Sequence, residues 1–103
     1  AAAIDAVAVR PEVVAYVTKL ARRTREHPSL VLGASTRGAL MVLVAAKAWA
    51  AREGRDFVTP DDVKAVARPA IRHRLQLHPA ALIEGVSPDD IVTEILQQTE
   101  VPR

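Results

Sequence analysis

Apolar positions along the chain recur at helical spacing in four stretches, and each stretch is bounded by residues that start or stop helices. In the first, Val13, Val17, Leu20, Ala21 and Thr24 share one face, while Lys19, Arg22 and Glu26 take the other. Pro11 suits the first helical turn, where its missing N–H is not needed, and Glu12 has the sign that a helix start prefers. The helix is predicted to stop before Pro28, which pushes His27 out of the α region. Ser29 to Gly33 reads as extended. A second helix is predicted from Thr36 to Glu53, with Ser35 as N-cap and Gly54 as C-cap. It carries apolar residues over much of its girth: Leu40, Leu43 and Val44 with Lys47 on one face, Met41, Ala45, Ala48 and Trp49 on the next. That pattern predicts the central, most buried helix.

Phe57-Val58 is a brief extended stretch before Thr59-Pro60-Asp61-Asp62, a helix start in which Thr caps, Pro fits the first turn and the acids meet free N–H groups. Val63, Val66 and Ala67 face inward; Pro69 kinks or restarts this helix, which continues over Ala70 to Leu75. Gln76 to Gly85 reads as a connector. Ser87-Pro88-Asp89-Asp90 repeats the start signal ahead of Ile91, Val92, Ile95 and Leu96. The expected fold is all-α, a small bundle of four to five helices. Two extended pieces, Leu30-Val31-Leu32 and Phe57-Val58, are placed either to pair or simply to link. Residues 1–9 read as an extended lead-in or linker, 10–98 as the helical domain and 99–103 as a frayed tail.

Composition narrows the chemistry. At 103 residues the chain suits one compact domain. With one Trp, one Tyr and one Phe, its core must be aliphatic and Ala-rich, which suits closely packed helices. The absence of cysteine excludes disulfides and thiolate zinc sites and fits a reducing compartment; the expected location is the cytoplasm. No apolar run approaches the roughly 20 residues that span a bilayer, so no membrane role is expected. The net charge of +2 is unevenly placed. Nine basic against four acidic residues through Arg55 give +5, and five against eight from Asp56 onward give −3. The first half is the one suited to an anionic partner.

Most candidate chemistry has a plain alternative that outweighs it. There is no phosphate-cradling Gly-rich loop and no nucleophile elbow. His27, His73 and His78 lack a metal-ligand spacing, so no metal site is expected. Asp61-Asp62 and Asp89-Asp90 sit where helix starts want negative charge, which outweighs an acid/base dyad. Arg22, Arg23 and Arg25 read first as a solvated face. Arg37 is different. It lies just inside a helix start, in Gly33-Ala34-Ser35-Thr36-Arg37-Gly38, where a cation opposes the helix dipole. The same place suits an anion shared between a guanidinium and free N–H groups. Spacing alone leaves open the simpler outcome, an Arg lying over its helix into water.

The ordered strings supply context. Thr24-Arg25-x-His27-Pro28, Gly33-Ala34-Ser35-Thr36-Arg37, Gly54-Arg55-Asp56-Phe57-Val58-Thr59-Pro60-Asp61-Asp62-Val63 and His73-Arg74-Leu75 together resemble the C-terminal lid of MoxR-type AAA+ ATPases, over roughly Val9 to Leu96. The resemblance implies a lid beside an α/β ATPase core of the same chain, closing over ATP with Mg²⁺. It makes Arg37 the sensor-2 arginine that reaches the γ-phosphate, with Ser35 and Thr36 beside it at the nucleotide and Arg25 in support of the site or of a subunit contact. It further implies ring oligomers, chaperone-like remodelling or activation of other proteins, and a von Willebrand factor A domain protein as partner. The isolated domain is expected to bind no cofactor and catalyse nothing. Thr36 stands where the family string usually has Pro, Gly38 where it has Ala, and Phe57 where Tyr is common. Gly38 costs the helix about 0.5–1 kcal/mol relative to Ala, and it is expected to loosen the start that aims Arg37. Two rivals remain, a basic helical nucleic-acid binder and a free-standing helical adaptor.

Overall fold

A computed structural model describes residues 6–102. The elements are α1 (Pro11–Glu26), β1 (Leu30–Leu32), α2 (Thr36–Arg52), α3 (Pro60–Ile71), a 3₁₀ turn (Arg72–Arg74), β2 (Gln76–Leu77), α4 (Pro79–Ile83) and α5 (Pro88–Gln98). It is a small helical bundle with one very short antiparallel strand pair.

The core is where the apolar faces of four helices meet. Helix α1 contributes Val13, Tyr16, Val17, Leu20, Ala21 and Thr24; α3 contributes Val63, Val66, Ala67 and Ile71; α5 contributes Ile91, Val92, Ile95 and Leu96. These faces match the helical spacing of the sequence. Helix α2 does not. Its buried residues are Gly38, Val42, Ala46 and Ala50, one small or slender residue per turn. That line lets α2 lie close against α3, its main neighbour. The larger apolar residues Leu40, Met41 and Val44 are exposed, at 56%, 40% and 58%. The expectation that this is the most buried helix is therefore corrected: α1 and α3 bury more of their residues. Close backbone approach selected the small-residue face, and hydrophobicity alone pointed to the wrong one.

Helix ends follow local chemistry. Thr59 and Ser87 each complete a capping box with Asp62 and Asp90. Gly54 and Gly85 adopt φ of 79° and 82° just past α2 and α4. The N–H groups of Gly54 and Arg55 donate to Ala51 and Ala50 carbonyls, and those of Gly85 and Val86 to Leu82 and Ala81, closing both ends in the Schellman pattern. Pro69 is carried inside α3, which runs on to Ile71 before tightening into the 3₁₀ turn.

Several contacts depart from expectation. Leu30–Leu32 pairs with Gln76–Leu77 and not with Phe57-Val58. Phe57 bridges Ala8 in parallel, with Ala8 N–H donating to Asp56 O at 2.8 Å and Val58 N–H to Ala8 O at 3.0 Å. The stretch expected as a plain connector contains β2 and α4. The tail expected to fray is held at Thr99, which is buried and donates its hydroxyl to Ile95 O at 2.7 Å, while Val101 packs against the core. Of the lead-in, residues 1–5 lie outside the described residues, and Val7 is buried.

Candidate functional site

The start of α2 is fixed from below by the last turn of α1. Thr24, 1% exposed, donates its hydroxyl to Ala21 O at 2.6 Å and accepts from Ala34 N–H at 2.8 Å. One buried hydroxyl thus pins the loop that leads into α2. Gly33 lies directly on the α1 backbone: a Cβ there would stand 2.6 Å from Arg25 N and from Thr24 C, closer than any real contact. No residue but Gly fits. Arg25 Nη1 donates a long hydrogen bond of 3.5 Å to Ala34 O, closing the other side of the loop. Ser35 then caps the helix, accepting from Gly38 N–H at 3.3 Å.

This arrangement brings Ser35, Thr36 and Arg37 together at one exposed helix end. Arg37 pairs with no carboxylate among the described residues, and the first turn of α2 contains no acid. Arg37, Leu40, Met41 and Val44 fall at i, i+3, i+4 and i+7, so the guanidinium stands at the head of the exposed apolar stripe. Gly38, the next residue, is buried on the side toward Ala34 and Ile71. A Cβ on it would meet Ala34 Cβ at 3.2 Å, Arg74 Cδ at 3.7 Å and Ile71 Cγ2 at 3.8 Å. Only the Ala34 distance is tight: a Gly38→Ala change would need Ala34 to give by a few tenths of an ångström, while the other two are ordinary van der Waals contacts.

Most of the remaining candidates are held in structural contacts. Asp62, 1% exposed, takes a bidentate contact from Arg55, at 2.6 Å and 2.5 Å, and accepts from Thr59 N–H at 2.7 Å. Burial pushes its pKa up, but the hydrogen bonds from Arg55 and Thr59 outweigh burial and hold the carboxyl below its ordinary value. The Ser87 backbone and hydroxyl lower Asp90 in the same way. Asp89 pairs with Arg72 at 3.2 Å. His27 accepts from Ser29 N–H on Nδ1 at 3.1 Å, so Nε2 carries the proton toward Glu94 Oε2, also at 3.1 Å. His73 and His78 are exposed. Arg10 and Arg55 stack near the Phe57 ring, at 5.7 Å and 6.0 Å from its centroid, which the missing Tyr hydroxyl does not affect. Thr24 and Gly33 were visible as sequence strings, but their role is a contact between segments ten residues apart that no local pattern reveals.

Comparison with known proteins bears on the fold and the family. Residues 22–95 match the family model described as the AAA lid domain. The chain is 41% identical to YeaC of Bacillus subtilis over 84% of its length, and 34% identical to Chaperone MoxR1 of Mycobacterium tuberculosis over 92%. A crystal structure of a protein from Cytophaga hutchinsonii assigned as an ATPase superposes with a TM-score of 0.93 at 32% identity, over 99% of this chain. The chain spans 27% and 28% of the two sequence relatives and 34% of that structure. These matches place the chain in the AAA lid domain family, as a lid of the MoxR type.

Proposed function

We propose that this lid closes over ATP bound to an α/β ATPase core of the same protein, with Arg37 meeting the γ-phosphate. The supporting observation is placement. Arg37 is exposed, has no ion-pair partner among the described residues and is aligned with Leu40, Met41 and Val44, an apolar stripe suited to contact with another domain. A core docked along that stripe brings the guanidinium to the edge of its nucleotide pocket. The pinned loop beneath it holds the arginine's helix in one position, so little reorganisation is needed when charge develops on the transferring phosphoryl group. Ser35 and Thr36 flank that contact and present the free N–H groups of the helix start. Mg²⁺ falls to the core in this reading, since no three acidic or imidazole groups cluster among the described residues of this chain.

The wider role follows the same reading: a ring of such ATPases uses lid movement to remodel or activate partner proteins, in the manner of a chaperone and with a von Willebrand factor A domain protein as partner. Arg37→Ala in the full-length ATPase tests the core of it. Turnover is expected to fall by about 100-fold or more, the scale of losing a preorganised donor to a reacting centre. Turnover unchanged, with the lid still folded, removes Arg37 from the mechanism.

A further inference from the structure

The residues that lead into α1 contain no free link. Val7 is 5% exposed and belongs to the core, and Val9 packs against it. Between them Ala8 uses both of its backbone groups: its N–H donates to Asp56 O and its carbonyl accepts from Val58 N–H. Arg10 is already the N-cap of α1. Its carbonyl accepts from the N–H groups of Val13 and Val14, and its guanidinium lies near the Phe57 ring. The strip that receives this segment is itself anchored. Val58 is 2% exposed, Thr59 opens the capping box of α3, and Arg55, also near the Phe57 ring, grips Asp62 in that box. Helix α3 in turn is the main neighbour of α2, which carries Arg37.

A hinge consists of residues whose φ and ψ can change without breaking packing. A turn anywhere in residues 7–10 would expose Val7, break the two hydrogen bonds of Ala8 or pull Arg10 off the Phe57 ring. We propose that Phe57-Val58 is a clamp that makes residues 7–10 part of the lid body, so that a displacement entering the chain at Val7 is delivered to α3 and through it to α2 and Arg37. The inference rests on the lid reading above, with the ATPase core ahead of the lid in the chain. The turning point between lid and core then falls ahead of Val7, and the lead-in is a strut of the lid.

The test uses the full-length ATPase and follows amide hydrogen exchange at Ala8 and Val58, the two donors of the bridge. With ADP bound and with a slowly hydrolysed ATP analogue bound, the two amides are expected to stay protected, at rates within about twofold between the states. Exchange that quickens about tenfold or more in either state means that the clamp opens with the nucleotide, and overturns the proposal. Val7→Asp supplies the second arm, because an unpaired carboxylate in a buried position expels the lead-in. It is expected to release the Ala8 and Val58 amides and to lower ATP turnover about tenfold, with the amides of α3 and α5 still protected. Val7→Ala, a milder release, is expected to fall between parent and Val7→Asp in both readouts. Released amides with turnover within about twofold of the parent overturn the proposal, since a segment that only stabilises the fold would behave in that way. Arg37→Ala run alongside separates the two claims. If Arg37→Ala leaves turnover intact, the lid reading fails. If it stops turnover while the Val7 variants do not, the clamp alone fails.

Discussion

The starts of α3 and α2 are built to opposite rules. At α3, Thr59 and Asp62 close a capping box, Asp61 adds a second acid, and Arg55 neutralises the one buried carboxylate. The acids there have the sign that a helix start prefers. At α2, Ser35 supplies a cap, but the charge in the first turn is a cation, its side chain is exposed, and nothing in the described chain pairs with it. Yet the α2 start is pinned as firmly as the other, by Thr24, Gly33 and Arg25. Under the proposed function, a helix start that is pinned but electrostatically unfavourable is organised for an anion outside the chain. The α3 start is organised for the chain itself.

Substitutions sharpen this contrast. The largest stability loss is expected at the α3 start. Asp62→Ala removes the capping box and strands a guanidinium; breaking a buried pair costs about 3–5 kcal/mol, and with Arg55 partly in solvent we expect about 2–3 kcal/mol in urea unfolding. The pH dependence has a defined sign. The folded pKa of Asp62 is lowered, so its contribution is fully present above the unfolded carboxylate value of about 3.9 and is lost as pH falls through the folded value. The unfolding midpoints of parent and Asp62→Ala should therefore converge as the pH is taken below about 4. A gap that persists at low pH would show that the box contributes through packing and not through charge.

Next in size is the pin beneath α2. Thr24→Val keeps the shape and leaves the Ala34 N–H buried without a partner, a cost of about 1–3 kcal/mol. If the pin aims Arg37, the same variant also slows ATP turnover in the full-length ATPase, although Thr24 lies in the core. Destabilisation with turnover intact would separate the pin from the arginine.

What the sequence made legible divides along the same line. Helix starts and stops encoded by neighbours in the chain are plain: Pro11, Ser35, Thr59-Pro60-Asp61-Asp62, Gly54 and Ser87 all act where the sequence puts them. Features that depend on distant segments are not. The inward face of α2 is set by how near α3 can come, so Gly38, Val42, Ala46 and Ala50 are buried while bulkier residues stay out. The partner of Leu30–Leu32 lies some 45 residues on, at Gln76–Leu77, too short a strand to announce itself. The candidate site was legible as Gly33-Ala34-Ser35-Thr36-Arg37, yet its support from Thr24 and the close approach of Gly33 to α1 come from the folded arrangement.

The smallest stability change carries the most information. Arg37→Glu gives α2 the acidic first turn that α3 and α5 already have. Measured side by side, the unfolding free energy of the helical chain in urea should rise by about 0.3–1 kcal/mol, because the charge now suits the helix dipole. ATP turnover of the full-length ATPase should fall at least about a hundredfold, because the same charge now repels phosphate. Opposite movements of folding and activity are what a helix start built for an external anion requires; a lower midpoint, or turnover that survives the reversal, would contradict it.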